Sequence, residues 1–316
     1  MYYPYLRGKQ YELILLRDNP TMFSDNPIYP IIEPVKTNFS GFTRAIGNLV
    51  DKKAKFIVVA NPQCGDLVGE EDSILEVIED TVPSSYNGLS IAYIVNHDSD
   101  IESIVESINN CERNNISIIH YDFIRGRDLA EVLSEIGKVK RHIFIEKYSS
   151  KLYQKHFKRD GVERILIRDG FKVRKNEQYP QREHYSDLHI TYEDEGMDGF
   201  GDFLIVGDEY REGGGPAYAV AIHLTYLNEE KDMFVAHFVS EQKGSPKNPA
   251  RKFAEALEKL VGAVEASDSL FLRSNAYEEY RRLNQIGHFP GLGYAKKLSM
   301  QHHIELMAYY LNSLST

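Results

Sequence analysis

The sequence predicts an α/β fold built as a closed barrel of eight parallel strands, and two observations lead to it. Short apolar runs rich in Ile, Val, Phe and Tyr recur along the 316 residues, and segments with helical spacing separate the first six of these runs. Strands that alternate with helices pair in parallel and place the helices outside. Eight candidate strands favour a TIM-like (β/α)8 barrel. An open α/β sheet followed by a carboxy-terminal helical domain is the alternative.

The eight predicted strands are four to eight residues long and nearly continuous in hydrophobicity, which is typical of strands buried on both faces. They are Tyr29–Glu33, Phe56–Asn61, Ser90–Asn96, Ile116–Asp122, His142–Lys147, Arg164–Asp169, Phe203–Asp208 and Tyr218–Leu224.

Helices are predicted where apolar residues recur three and four positions apart, as Ile101, Ile104, Val105 and Ile108 do. The same spacing predicts helices around 39–49, 74–78, 129–136 and 152–157. Near the amino terminus, Gly8–Arg17 is predicted as a short helix that closes the bottom of the barrel.

The whole chain, 1–316, is predicted as one barrel domain with additions. Residues 170–202 lack a clear period and are predicted as a long loop insertion, which on a barrel is typical of a lid or binding element. Ala219–Leu227 and Met233–Ser240 flank a polar turn and predict a β-hairpin that extends the eighth strand. Within 248–316, helices over 248–265, 275–284 and 294–313 are predicted to pack on the barrel.

Composition narrows the class of protein. The formal net charge of −10 argues against non-specific DNA binding, which needs a basic surface. The longest apolar runs are far shorter than the roughly 20 residues of a membrane helix. The first ten residues lack the apolar core of a signal peptide. Two cysteines cannot build a disulfide framework. We therefore expect a cytoplasmic protein without a membrane partner.

Three blocks of the chain carry a family resemblance. They are the opening MYYPYLRGKQYELILLRD with the following PIIEPVK, the segment GDEYREGGGPAYAVAIHLTY, and the closing FPGLGYAKKLSMQHHIEL. Together they resemble the beta family proteins of bacteria and phages, over nearly the whole chain. The resemblance implies a barrel-like cytoplasmic protein, in one bacterial branch encoded beside a small protein of suspected nuclease type, and a role in defence against phage. It implies no catalytic residue.

Acidic residues end five of the predicted strands: Glu33, Asp122, Glu146, Asp169 and Asp208. Active sites of these barrels lie at the carboxyl ends of the strands, so these five are the catalytic candidates. Carboxylates that converge repel one another unless a hard cation neutralises them. Glu33, Asp122 and Asp208 are therefore the candidate ligands of Mg²⁺ or Mn²⁺. The alternative is that polar residues end strands where the chain meets solvent.

A glycine run follows the predicted seventh strand. The backbone N–H groups of Gly213, Gly214 and Gly215 can approach an anion, and loops after strands seven and eight of barrels often bind phosphate. Arg168 and Lys147, at other strand ends, can add positive charge, so these five residues are the predicted phosphate site. A turn that needs a positive φ is the alternative explanation of the glycines.

Two functional hypotheses follow. The first is a sensor or partner-binding subunit of a phage-defence-type system, with a ligand site at the barrel mouth for a phosphorylated small molecule or nucleotide. Its partner would be a small nuclease-type protein, and it would form an oligomer. The second is a metal-dependent hydrolase of phosphoesters or nucleotides.

Overall fold

The computed structural model describes residues 1–314, and these residues form two compact units. The first unit comprises Met1–Asp169 and Thr191–Phe203. The second comprises Gly170–Ile190 and the residues from Leu204 onward.

The first unit is a closed barrel of eight parallel strands, as predicted. Seven strands follow one another around it, and a strand from residues 199–202 closes the ring between the seventh and the first. The strands are β1 (Tyr2–Leu6), β2 (Ile31–Ile32), β3 (Phe56–Val59), β4 (Leu89–Val95), β5 (Ile116–His120), β6 (Val139–Ile145), β7 (Glu163–Ile167) and β9 (Gly199–Asp202).

Helices occupy the connections between successive strands of the barrel. They are α1 (Gln10–Asp18), α2 (Pro20–Ser24), α3 (Ser40–Asp51), α4 (Glu71–Thr81), α5 (Ile101–Asn110), α6 (Gly126–Ser134) and α7 (Lys151–Lys155). The predicted amino-terminal helix is α1, but its placement at the barrel bottom is wrong. It follows β1 and packs against α3, where the Asn48 side chain donates to the backbone oxygen of Arg17 at 2.9 Å. It is the helix of the first strand–helix repeat.

Six of the predicted strands are confirmed, and two are wrong. The predicted seventh strand, Phe203–Asp208, is a turn over 204–206, because Leu204 has a φ of +52° and Gly207 a φ of +78°. The predicted eighth strand, Tyr218–Leu224, overlaps a strand of a separate antiparallel sheet. The barrel uses β1 and β9 instead.

Every second side chain along a barrel strand points into the barrel, because successive side chains of a strand point to opposite faces. Tyr3 and Tyr5 of β1 point inward together with Tyr29 and Phe203. The remaining interior is aliphatic and comes from the other strands: Ile31, Ile57, Val59, Ala92, Ile94, Ile119, Ile143, Ile145, Ile165 and Ile167. The first unit therefore has a packed core inside its barrel.

The second unit contains a three-stranded antiparallel sheet and the carboxy-terminal helices. The strands are β8 (Arg182–Ser186), β10 (Ala221–Leu227) and β11 (Met233–Val239), in the order β10–β11–β8. The helices are α8 (Leu188–Thr191), α9 (Pro249–Glu265), α10 (Asn275–Ile286) and α11 (Leu292–Ser313). The hairpin and the three carboxy-terminal helices are thus present as predicted. Segment 170–202 is not one long loop, because it contains β8, α8 and β9.

One sheet face of the second unit packs on the helices. Ile222 and Leu224 of β10 join Phe253, Leu257 and Leu260 of α9 in a buried cluster.

Helix α11 is 22 residues long but includes Lys296, Lys297, His302 and His303. Within residues 1–314, no helix is both long and apolar enough to cross a membrane.

Candidate functional site

Polar and aromatic side chains follow the carboxyl ends of the barrel strands in the first unit. We call this set the mouth. It consists of Arg7, Glu33, Asn61, Gln63, Cys64, Asn96, Tyr121, Asp122, Glu146, Lys147, Tyr148, Arg168 and Asp169. This is the end of a (β/α)8 barrel at which ligands and substrates bind.

Glu33 lies at the end of β2 and is only 2% exposed. Its carboxylate accepts hydrogen bonds from the Tyr5 hydroxyl at 2.9 Å and from the backbone N–H of Gln63 at 2.8 Å. Arg7 Nε lies 3.5 Å from the same carboxylate and supplies a compensating positive charge. A buried carboxylate needs such a partner, so Glu33 is held as part of an ion pair rather than as a free base.

The environment of Glu33 keeps its neighbours protonated. Burial, and next the negative charge of Glu33, raise the pKa of Tyr5 well above its ordinary value. The same two causes, in the same order, raise the pKa of the Cys64 thiol to about 12. A thiol with this pKa carries almost no thiolate at neutral pH, so Cys64 is unsuited to nucleophilic catalysis. Tyr5 and Cys64 serve as donors to Glu33.

Removing the Arg7 charge should destabilise the first unit, because Glu33 would remain buried without its cation. We expect Arg7→Met to lower the free energy of unfolding by roughly 3 kcal/mol. Native-state hydrogen exchange of the β1 and β2 amides measures this loss locally. The double variant Arg7→Met/Glu33→Gln is the control and should recover most of the stability. Equal losses in the single and double variants would show that the charge is not the cause.

Glu146 and Arg168 form a second ion pair at the mouth, across the ends of β6 and β7. Arg168 Nε lies 2.7 Å from one carboxylate oxygen of Glu146, and Arg168 Nη2 lies 2.8 Å from the other. This paired arrangement fixes the plane of the guanidinium group. Both side chains are partly exposed, at 24% for Arg168 and 36% for Glu146.

Two tyrosines and a lysine follow the carboxyl ends of β5 and β6, next to the strand end that carries Arg168. The rings of Tyr121, after β5, and Tyr148, after β6, have centroids 4.5 Å apart. Lys147 Nζ donates to the Tyr148 hydroxyl at 3.1 Å and lies 4.9 Å from the centroid of that ring. We call Tyr121, Lys147, Tyr148 and Arg168 the aromatic–cation group. It combines two flat apolar surfaces with two positive charges.

The remaining three predicted acids differ in their exposure and in the unit to which they belong. Asp122 and Asp169 are exposed after β5 and β7, and Asp122 has a φ of +65°. Asp208 is buried and belongs to the second unit, where it follows a turn rather than a strand. Asp122 and Asp169 fit the alternative explanation, in which polar residues end strands where the chain meets solvent.

The predicted metal site on Glu33, Asp122 and Asp208 finds no support in the arrangement of their side chains. Across residues 1–314, no group of three or more His, Cys, Asp or Glu side chains is placed to hold a metal ion. The physical reason at the mouth is that Arg7 already neutralises Glu33 and Arg168 already pairs with Glu146. Two of the carboxylates at the mouth therefore already have a cationic partner.

The predicted phosphate site is divided between the two units. Gly213, Gly214 and Gly215 are exposed in the second unit, and a Cβ added at any of them would meet no atom within 4 Å. Only Gly213 has a positive φ, of +70°, which is what a turn requires. Lys147 and Arg168 belong to the first unit and to the aromatic–cation group. The glycines therefore form an open turn rather than a tight cradle.

A cavity of about 570 Å³ lies at the opposite end of the barrel, among the loops that precede β4 to β7. Its wall contains three carboxylates, of Glu79, Glu112 and Glu163, and three cationic side chains, of Arg113, Lys140 and Arg141. Arg113 bonds both oxygens of Glu79 at 2.8 Å and also donates to two backbone oxygens. These contacts hold the loops together, and this end of such barrels serves stability.

The sequence analysis missed Arg7, Tyr5 and the two mouth tyrosines. Arg7 and Tyr5 were missed because β1 was not assigned as a strand. Tyr121 lies inside a predicted strand and Tyr148 directly follows another, so aromatic residues beside strand-ending charges were an available signal.

Comparison of the chain with models of protein families, with curated proteins and with solved structures found no match.

Proposed function

We propose that this chain is a ligand-binding sensor subunit whose barrel mouth binds a phosphorylated planar molecule of the nucleotide class. The aromatic–cation group is the observation that carries the proposal. It places two tyrosine rings beside a lysine and an arginine at three adjacent strand ends.

Each part of this group matches one part of such a ligand. A tyrosine face stacks on any base, and base–aromatic stacking contributes about 1–3 kcal/mol. The guanidinium of Arg168 has the fork geometry that suits phosphate, and Glu146 orients it before a ligand arrives. Lys147 adds a point charge next to Tyr148. Preorganised groups bind more tightly because less motion is lost on binding.

Sensing fits the mouth better than hydrolysis does. A hydrolase of the metal-dependent class needs carboxylates that are available to a cation or to a water molecule. Glu33 and Glu146, two of the acids predicted for that role, are each engaged by an arginine. The resemblance to the beta family motivates a wider setting for the sensor, a defence-type system in which ligand binding is reported to a nuclease-type partner.

Calorimetric titration with AMP tests the ligand class, with adenosine and inorganic phosphate as its two parts. We expect AMP to bind more tightly than either part. Arg168→Gln should weaken AMP binding roughly tenfold or more, since a hydrogen bond to a charged group contributes about 1.5–3 kcal/mol. Tyr121→Leu should weaken it roughly fivefold or more, since a stacked base contributes about 1–3 kcal/mol.

The matched control is Arg125→Gln, which removes the same charge from an exposed pair with Asp128 on α6. It should leave the affinity for AMP unchanged. The proposal fails if AMP, GMP, CMP and UMP all leave the heat signal flat, or if Arg125→Gln weakens binding as much as Arg168→Gln.

A further inference from the structure

A chain of three hydrogen-bonded side chains runs along the outside of the barrel in the first unit, apart from the mouth. The Tyr153 hydroxyl lies 2.7 Å from His120 Nδ1, and His120 Nε2 lies 3.0 Å from His142 Nδ1. His120 is 0% exposed and His142 is 5% exposed. Phe144 and Phe157 pack on both imidazole rings. We call these three residues the histidine relay.

The relay ends at a cavity. His142 lines a space of about 200 Å³ enclosed by α6, the start of β6 and the segment after α7. Its Nδ1 is taken by His120, and its Nε2 makes no hydrogen bond to any residue among 1–314. A nitrogen without a protein partner, on a nearly buried side chain that lines a cavity, can be satisfied by a molecule in that cavity.

The hydrogen bonds of the relay can run in either of two directions. In one of them the Tyr153 hydroxyl, which makes no other hydrogen bond to the described residues, donates to His120 Nδ1. His120 Nε2 then donates to His142 Nδ1, and the remaining proton of His142 sits on Nε2. Within the relay this direction leaves only the His142 Nε2–H without a protein acceptor, and hydrogen bonds aligned in one direction strengthen one another. In this direction His142 presents an N–H donor to the cavity, and an acceptor bound there favours it.

The cavity wall has the charge and polarity of a site for a small organic anion. Three basic side chains line it, His156, Lys158 and Arg159, and no carboxylate does. Arg159 also donates to the backbone oxygen of Ser134, which holds the guanidinium at the rim. The rest of the wall is apolar apart from Ser134, with Ala130, Leu133, Val139, Phe157 and Val162.

We propose that this cavity binds a small anion, a carboxylate or phosphate group that carries a short apolar moiety, with His142 Nε2 as a donor to the anionic oxygen. The apolar wall receives the moiety, and Lys158 and Arg159 neutralise the charge. The inference is independent of the nucleotide site, because no residue of the mouth lines this cavity.

The probes are isobutyrate, methyl phosphate and the neutral isobutyramide. Their binding to the full chain is measured from the NMR resonances of the His142 ring. We expect at least one anion to bind and shift these resonances, and the amide to bind roughly tenfold more weakly or not at all. A response to isobutyrate alone assigns the carboxylate class, and a response to methyl phosphate alone assigns the phosphate class. Equal binding of isobutyramide, or no binding of either anion, overturns the proposal.

Variants distinguish the contribution of Lys158 and Arg159, at the rim of the cavity, from the contribution of the histidine relay to anion binding. The double variant Lys158→Gln/Arg159→Gln changes two exposed side chains and should weaken anion binding roughly tenfold or more, as should His142→Phe. Lys155→Gln, an exposed change on α7 outside the cavity wall, is the control and should bind normally. Because the rim variant leaves the buried relay intact, it keeps the test valid if His142→Phe fails to fold. Normal binding by the rim variant contradicts the proposed site.

Discussion

Gly201→Ala should open the barrel at its last strand and cost the first unit roughly 4 kcal/mol of unfolding free energy. Gly201 lies on β9, opposite Tyr3 of β1 on one side and Ile167 of β7 on the other. A Cβ at this position would overlap the backbone oxygen of Tyr3 and the side chain of Ile167. The backbone oxygen belongs to a paired strand and cannot move away without breaking the ladder. Relief of the overlap therefore requires β1 and β9 to separate.

Gly47→Ala is the matched control for this change. Gly47 lies within α3 of the same unit, and a Cβ there would meet no atom within 4 Å. Because alanine is the better helix former, Gly47→Ala should stabilise the unit by roughly 0.5–1 kcal/mol. Hydrogen exchange of the amides at 1–6 and 199–202 measures the local opening in each variant. Unchanged protection of both segments in Gly201→Ala would mean that the glycine is not required for closure.

The same glycine explains why the sequence alone did not reveal β9. The prediction searched for apolar runs, and the strand Gly-Phe-Gly-Asp has only one apolar side chain. Its inward positions, Gly199 and Gly201, are small because the ring and backbone of Tyr3 fill the space. The large residue is on β1 and the small ones are on β9, nearly two hundred residues away in the sequence. Such a pairing has no local signature.

The strands β3 to β7 could be predicted because each carries its own apolar run, buried on both faces. The run Phe203–Val206 has the same composition and does not form a strand. Leu204 is held at a positive φ, and the Tyr185 hydroxyl donates to its backbone oxygen at 2.8 Å. A tertiary contact thus overrides the local preference of this run.

At the mouth, the sequence identified charged residues but not their partners. Glu146 and Arg168 were both named, one as an acid for catalysis and the other as a phosphate ligand. They are 22 residues apart, on successive strands, and bind each other. Strand ends that meet in space bring opposite charges together as readily as like charges, and only the folded structure shows which of the two occurs. The pairing changes the expected chemistry from metal binding to a preorganised cation.

Acid should unfold both units between about pH 6.5 and pH 4, because each contains histidines that are buried in the neutral form. In the first unit, burial, and next the charge of Arg164, lower the pKa of His142 to about 3, and burial lowers that of His120 well below its ordinary value. In the second unit, burial lowers the pKa of His302 to about 4.

The sheet of the second unit adds a coupled pair. His223 Nδ1 lies 2.7 Å from His237 Nδ1, and His237 Nε2 lies 3.2 Å from the Glu183 carboxylate. Burial lowers the pKa of His237 to about 4 against the opposing effect of Glu183, and burial lowers the pKa of His223 well below its ordinary value. Protonation of both rings would place two cations side by side and leave their hydrogen bond without an acceptor, so the pair resists taking up protons on both rings.

The sign of the effect follows from proton counts. Above pH 6.5 the five histidines are neutral whether the chain is folded or unfolded, so they contribute no pH dependence. Below pH 6.5 the unfolded chain binds protons that the folded chain excludes, and stability falls by about 1.4 kcal/mol per pH unit for each such histidine. By pH 4, His302 alone should lower the free energy of unfolding of the second unit by roughly 3 kcal/mol. Two such groups together lower it by roughly 6 kcal/mol, which is comparable to the 5–15 kcal/mol free energy of unfolding that is usual for a folded chain.

His302→Gln tests this account at one position. Glutamine can still donate to the backbone oxygen of Thr225, which His302 Nε2 contacts at 2.8 Å, but it cannot take up a proton. We measure the free energy of unfolding with denaturant at pH 7.5, 6, 5 and 4.5. In this variant it should fall less steeply as the pH is lowered, by the equivalent of about one bound proton. Leu260→Ala, in the buried core of the same unit, is the control: it should lower stability equally at every pH and keep the wild-type slope. An unchanged slope in His302→Gln would show that this histidine is protonated in the folded chain, and acid unfolding of the second unit would then have to come from other groups.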